Sequence, residues 1–189
     1  MEDRRYAERN KRRPNLAAAS GEDLGEVSDI VTDAMTAFGL GAEQAGHFAD
    51  VLAIASSNSN TNVSMMGETF KYVAPVAGAL GYKMEDTAVA IGLMANSGIK
   101  AGQAGTTLRA MFSRLAAPTK EVKGAMDALN LSLTDEDGKM KSFLKLTQDI
   151  RDGFAGMSEV QQSEIASKLA GQEAMSGLLA IANASDEDF

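Results

Sequence analysis

Three short stretches of the chain carry residue types that could do chemistry. The first, GIKAGQAGTTLRAMFSRL at positions 98–115, places Gly98, Gly102 and Gly105 just ahead of a helical apolar pattern. A phosphate-binding P-loop needs GxxxxGK[ST] after a strand, but Gly105 is followed by two threonines and a helical segment precedes it. The spacing also departs from the dinucleotide pattern GxGxxG. The glycines therefore favour a helix–helix joint, with anion binding at a helix N-terminus as the alternative.

The second stretch surrounds His47, the single histidine, which Asp50 follows by about one helical turn. A catalytic His–Asp pair also needs a nucleophile, and no motif such as GxSxG supplies one. One histidine and no cysteine exclude multi-histidine and cysteine-type metal sites within this chain. We therefore interpret His47 as a surface residue, and we expect no catalytic residue, metal or cofactor.

The third stretch is the acidic run TDEDGK at positions 134–139. A calcium-binding EF-hand loop needs oxygen ligands at its positions 1, 3 and 5, glycine at 6 and glutamate at 12. No glutamate follows Gly138 at that distance. A tight Asp-Gly turn between two short extended pieces explains the run better than a calcium site does.

Composition and charge exclude further classes of protein function. The chain has 189 residues, 44% hydrophobic, and a net charge of -8, while its first 15 residues are basic. The acidic remainder lacks the positive surface that nucleic acids require, so we expect no direct nucleic-acid binding. Residues 1–15 are predicted to form a disordered leader ahead of a helical segment at 16–189. The longest apolar run, 87–99, is too short to span a bilayer.

The elements that position these stretches are predicted from apolar residues at helical spacing. Ser20 is a predicted N-cap for the first helix, and Pro75 inside the third predicts a kink. The expected class is all-α, either a multi-helix bundle or a short α-solenoid of αα-hairpins, with a small turn or hairpin-like excursion near 130–141. The predicted helices lie at about 24–38, 43–57, 63–80, 84–96, 103–116, 119–129, 142–154, 158–169 and 173–182.

Three of these helices are predicted to end alike, at AFGL (37–40), ALGY (79–82) and ALNL (128–131). Gly39, Gly81 and Asn130 are residue types that tolerate the left-handed conformation after a helix, so they are the predicted helix C-caps. An apolar residue follows each of them and can fold back on the last turn. A shift of 42 residues also aligns 20–60 with 62–100, which predicts an approximate internal repeat.

Two stretches, KYVAPVAGALGY (71–82) and GIKAGQAGTTLR (98–109), carry a family resemblance. From about residue 16 to its C-terminus, the chain resembles the core region of the tail tape measure proteins of long-tailed bacteriophages and prophages. The resemblance implies a non-catalytic virion protein, made in the bacterial cytoplasm, that lies in the lumen of the tail tube and takes part in tail assembly and tail-length determination. The motif residues are Pro75, Gly81, Gly98, Gly102, Gly105, Thr106, Leu108 and Arg109.

The same resemblance implies the tail tube protein and the tail assembly chaperones as partners, together with self-association. Residues 1–15 depart from the family pattern, and relatives are expected to continue beyond residue 189, so the chain is expected to be truncated there. A membrane- or cell-wall-interacting segment that assists genome delivery is the alternative function. Packing does not explain Arg109.

Overall fold

A computed structural model describes residue 21 and residues 23–188, and in this part of the chain it contains nine α-helices. The all-α class is therefore confirmed, while the leader predicted at 1–15 lies outside the described residues. A 3-10 turn at Ala42–Gln44 precedes the second of them. The helices are α1 (Leu24–Ala37), α2 (Ala45–Ser57), α3 (Val63–Ala79), α4 (Met84–Asn96), α5 (Ala101–Ala116), α6 (Lys120–Ala128), α7 (Phe143–Phe154), α8 (Glu159–Ala170) and α9 (Met175–Ala182).

Side-chain caps fix where several helices begin. The Asp23 carboxylate accepts hydrogen bonds from the backbone N–H groups of Gly25 and Glu26, so Asp23 is the N-cap of α1. Ser20, predicted for this position, lies outside the described residues. At α8, Ser158 and Gln161 form a capping box, as serine and glutamine three positions apart predict. These caps satisfy backbone donors that have no partner inside the helix.

Four helix ends share one geometry. In each, a left-handed residue follows the helix, and the N–H of the next residue donates to a carbonyl five residues earlier, as in a Schellman motif. Asn130 is one of two non-glycine residues with positive φ in the described part of the chain. The left-handed residues are Gly39 (φ 67°), Gly81 (74°), Gly98 (85°) and Asn130 (51°). The donors are Leu40, Tyr82, Ile99 and Leu131, at 2.8–2.9 Å.

The first five helices form two layers. Helices α1, α3 and α5 pack side by side in one layer, and α2 lies beside α4 in the other. Glu26 contacts Ser64 near the beginnings of α1 and α3, and Ala37 lies against Gly78 near their ends. These two helices therefore run in the same direction. Parallel neighbours within each layer are the arrangement of an α-solenoid. Beyond α5, α9 packs against α4, α5, α7 and α8.

Two aromatic clusters lie in the core. Phe70 of α3 contacts Phe38 and Phe48 with ring centroids 5.9 and 5.3 Å apart, which joins the first three helices. Tyr82 and Phe112 are 4.9 Å apart, and each also contacts a third ring, that of Phe143 in α7. The chain has few aromatic residues, and these rings lie where separate helices meet.

Several predicted boundaries need correction. Helix α5 begins at Ala101 rather than at 103, and α9 begins at Met175 rather than at 173, because α8 continues to Ala170 and Gly171 (φ 93°) then starts a turn. Helix α3 continues through Pro75, which is exposed, so water can satisfy the carbonyl left without a donor one turn earlier. The kink itself stays a prediction.

Candidate interaction surfaces

Helices α3 and α5 lie in close contact at Gly105. A Cβ atom there would lie 2.8 Å from Tyr72 Cβ and 2.9 Å from the backbone oxygen of Thr69. One of these two atoms belongs to the backbone of α3, so any side chain at position 105 would push the helices apart. At Gly102 the nearest atom is the end of a flexible side chain, Glu68 Oε1. Gly105 therefore sets the spacing of the two helices, and Gly102 does so much less.

A hydrogen bond joins the same two helices beside this contact. The buried Thr69 hydroxyl lies 2.9 Å from the carbonyl oxygen of Ala101 and 3.0 Å from that of Met65 in its own helix. Ala101 has φ 51°, which a residue with a Cβ rarely adopts. The Thr69 hydroxyl thus holds the strained first residue of α5 against α3.

The other motif residues divide into a buried and an exposed group. Leu108 is fully buried with Met111 and Phe112, on the face of α5 that packs into the core. Thr106 and Arg109 are exposed, as is Pro75 on α3. Arg109 forms no ion pair or hydrogen bond with any residue in the described part of the chain. The motif therefore combines a helix–helix contact with an exposed cation.

His47 pairs with a residue that its spacing did not predict. Its Nε2 lies 2.6 Å from Glu85 Oε1, joining the N-terminal ends of α2 and α4. Partial burial acts to raise the pKa of Glu85, but the hydrogen bond and charge of His47, a backbone hydrogen bond and the charge of Lys83 together outweigh it, so this pKa lies below its ordinary value. Both side chains are about half exposed. The pair acts as a surface link between helices.

Between α2 and α4 lies an open apolar groove of about 400 Å³. The His47–Glu85 pair closes one end of this α2–α4 groove, and Ser59 contacts α4 at Gly92 near the other. Between these two contacts the side chains of α2 and α4 leave the space unfilled. Its apolar floor and walls are formed by Val51, Ile54, Ala55, Ala88, Val89 and Leu93.

The far end of the α2–α4 groove is polar and acidic. Asn58, Asn96 and Asp188 line it. Asn96 accepts a hydrogen bond from the Asn60 N–H and donates to Asp188 Oδ1 at 3.1 Å, while Ser185 donates to Asp188 Oδ2. Both donors to Asp188 are uncharged, so neither neutralises its carboxylate.

The acidic run at 134–139 forms a turn. Asp135 Oδ1 accepts from the backbone N–H groups of Asp137 and Lys139, Gly138 has φ 77°, and Thr134 bridges Met140. This is the hairpin-like excursion predicted near 130–141. Among the described residues, no group of three or more acidic or histidine side chains is placed to hold a metal ion. In the same part of the chain, no helix has the length and apolarity needed to cross a bilayer.

The sequence alone did not indicate the contacts of Thr69, Tyr72 and Glu85 or the presence of the α2–α4 groove. Each acquires its role through a partner more than 30 positions away, so local spacing holds no information about it. One available indication was the pair Gly102 and Gly105, because small residues three apart on a helix allow a close neighbour. That pattern does not say which helix the neighbour is.

Comparison with known proteins identifies the family. The sequence model of the family described as phage-related minor tail protein matches residues 14–171. Because this match covers far more than half of the chain, the chain belongs to the phage-related minor tail protein family. The resemblance to tape measure proteins is thereby confirmed.

Two relatives support this assignment. The tape measure protein of Pneumococcus phage Dp-1 is 42% identical over 173 residues, which are 92% of this chain and 15% of that protein. The probable tape measure protein of Escherichia phage P2 is 28% identical over 164 residues, 86% of this chain and 20% of that protein. The chain thus spans a fifth or less of the length of either relative. No solved structure matches the chain at a significant level.

Proposed function

We propose that the chain is a structural, non-catalytic segment of a tail tape measure protein, and that it takes part in tail assembly and tail-length determination in the lumen of the tail tube. The observation that carries this proposal is the 42% identity, over 92% of the chain, to a protein named for that role. The helical architecture supports it, because α-helices give a chain a fixed rise per residue.

Tail length provides the test. In the tape measure gene of phage Dp-1, the 173-residue segment that matches this chain would be deleted in frame or replaced by this chain. Tails would be measured by negative-stain electron microscopy. We expect normal tails from the replacement and shorter tails from the deletion.

The amount by which the deletion shortens the tail also distinguishes an extended segment in the tail from a folded one. One continuous helix over residues 24–182 would extend about 240 Å, at roughly 1.5 Å per residue. A folded domain of this size is only about 40 Å across. An equally long deletion outside the matched segment is the control for loss of chain length alone. Tails of unchanged length after deletion of the matched segment would contradict the proposal.

We further propose the tail tube protein and the tail assembly chaperones as partners, and self-association as a third contact. Two surfaces support such contacts: the apolar α2–α4 groove and the exposed Arg109, which pairs with no residue in the described part of the chain. Pull-down of the purified chain with the tube protein or the chaperone of phage Dp-1 would test them separately. Retention of neither protein, with the chain folded by circular dichroism, would argue against these partners.

A further inference from the structure

We propose that the α2–α4 groove binds a short amphipathic helix of a tail-assembly partner, with a basic residue of that helix placed against Asp188. The assignment of the helix to a tail-assembly partner rests on the proposed function, whereas the chemistry of the occupant is argued from the groove alone. Three features of the groove define this occupant: its apolar lining, its length and the charge at its far end.

The lining favours apolar side chains on the occupant. Ile54 has 63% of its surface exposed and stands on the wall formed by α2, and small residues such as Ala55 and Ala88 also line the groove. Large apolar side chains of a partner would fill the space that these small residues leave. Apolar surface removed from water in this way is the usual source of affinity when a helix binds in a groove.

The length of the groove fits a short helix. From His47 to Asn58 the α2 wall advances about 16 Å, roughly three helical turns. Over that distance a bound helix presents apolar residues at positions i, i+3, i+4 and i+7 along one face. A helix also satisfies its own backbone hydrogen bonds, which matters because the groove floor offers few polar partners.

The far end of the groove attracts a positive charge. Helices α2 and α4 run in the same direction, since His47 pairs with Glu85 at one end and Asn60 bonds to Asn96 at the other. Their C-termini therefore lie together, and each carries the negative end of a helix dipole. The Asp188 carboxylate adds a full charge there, with uncharged donors as its partners. A lysine or arginine at the matching end of the occupant complements this end of the groove.

A pair of synthetic helical peptides tests the proposal on the full chain. Both peptides carry leucine at i, i+3, i+4 and i+7, and one ends in two lysines where the other ends in two glutamines. Binding would be measured by fluorescence anisotropy, and the site would be mapped by amide chemical-shift changes. We expect saturable binding, shifts confined to α2, α4 and the groove-lining residues Asn58, Ser59 and Asp188, and tighter binding of the lysine peptide.

Matched variants locate the contacts. Ile54→Glu is expected to weaken binding at least about tenfold, because it places a charge in the apolar wall. Val160→Glu makes the same change at a residue 78% exposed on α8 and should have no effect. Asp188→Asn should weaken binding of the lysine peptide about threefold and leave the glutamine peptide unchanged, while Glu187→Gln should change neither.

Four results would overturn the proposal. These are equal binding of a peptide with its leucines scrambled, equal effects of Ile54→Glu and Val160→Glu in folded proteins, shifts outside α2, α4 and those groove-lining residues, and a dimer of the chain alone that Ile54→Glu abolishes. The last result would assign the groove to a second copy. None of these measurements depends on tail length, so failure of the groove proposal and failure of the proposed function are distinguishable.

Discussion

The two layers of the helical stack use the same parallel arrangement but differ in how closely their helices approach. In the layer of α1, α3 and α5, glycines stand at the contacts: Gly67 lies against Ile30, and Gly105 against the backbone of α3. In the layer of α2 and α4, contacts are made near the two ends and an open groove lies between them. One layer is therefore packed as core, and the other leaves apolar surface open.

Helix spacing in the molecule therefore depends on where side chains are absent. A glycine facing a neighbouring backbone lets two helices touch along their length. Between α2 and α4, alanine and valine side chains line a gap that stays open. In the second layer the polar contacts of His47 and Asn96 then hold the helices at a fixed distance.

The largest expected effect comes from closing the space at Gly105. Gly105→Ala should lower the free energy of unfolding by about 1–3 kcal/mol, because the new methyl group meets the α3 backbone. The matched control is Gly124→Ala in α6, where a Cβ meets nothing within 4 Å. That change should raise stability by about 0.5–1 kcal/mol through helix propensity. Urea denaturation would measure both, and a stabilising Gly105→Ala would contradict the close-contact account.

The next effect concerns the hydroxyl that joins α3 to α5. Thr69→Val keeps the shape of the side chain but removes the donor to the Ala101 carbonyl, so we expect a loss of about 1–2 kcal/mol. In the other layer Thr87 is equally buried, and its hydroxyl bonds to Lys83 within its own helix turn.

Thr87→Val is therefore the control for Thr69→Val, and it should change stability by less than about 0.5 kcal/mol, because the Thr87 hydroxyl bonds within one helix turn and joins no second helix. Thermal and urea unfolding of both variants would show the difference. Equal losses of unfolding free energy from the two substitutions would mean that the hydrogen bond between α3 and α5 adds nothing to stability.

The smallest effect is expected at the end of the groove. Glu85→Gln should cost about 0.5 kcal/mol or less near neutral pH, because both members of the His47 pair are about half exposed. The pKa of Glu85 is lowered in the folded protein, so its contribution is present above the unfolded-state pKa and is lost as pH falls through the folded-state pKa.

Unfolding curves of wild type and Glu85→Gln should therefore converge in acid. Glu136→Gln, in the exposed turn before Gly138, is the matched control and should leave the curve unchanged at every pH. If the difference in stability between wild type and Glu85→Gln widened as pH falls, it would contradict a lowered pKa of Glu85 in the folded protein.

Much of the local structure could be predicted because its causes are local. The bounds of α4 follow from the sequence at both ends, and the Ser158–Gln161 capping box needs only residues three apart. The left-handed conformations of Gly39, Gly81 and Asn130 follow from residue type and an apolar neighbour. Gly98 makes the same helix end, although its sequence neighbourhood first suggested a joint.

The candidate surfaces could not be predicted because they depend on which helices become neighbours. Nothing near Glu85 in the sequence indicates that His47 will face it, and nothing near Tyr72 indicates Gly105. The internal repeat over 20–60 and 62–100 stays a prediction. It would have indicated which helices lie parallel, but not how wide the gap between them is.

The side-by-side stacking has a mechanical consequence. Helix α1 packs chiefly on α2 and α3, and the Phe38–Phe70–Phe48 cluster belongs to this N-terminal part alone. The cluster of Tyr82, Phe112 and Phe143 joins a separate set of elements farther along the chain. Tension applied at the N-terminal end would therefore separate α1 and α2 from the other helices while the cluster of Tyr82, Phe112 and Phe143 stays intact. A chain drawn through a narrow opening would unravel in steps, each needing only the force that separates neighbouring helices.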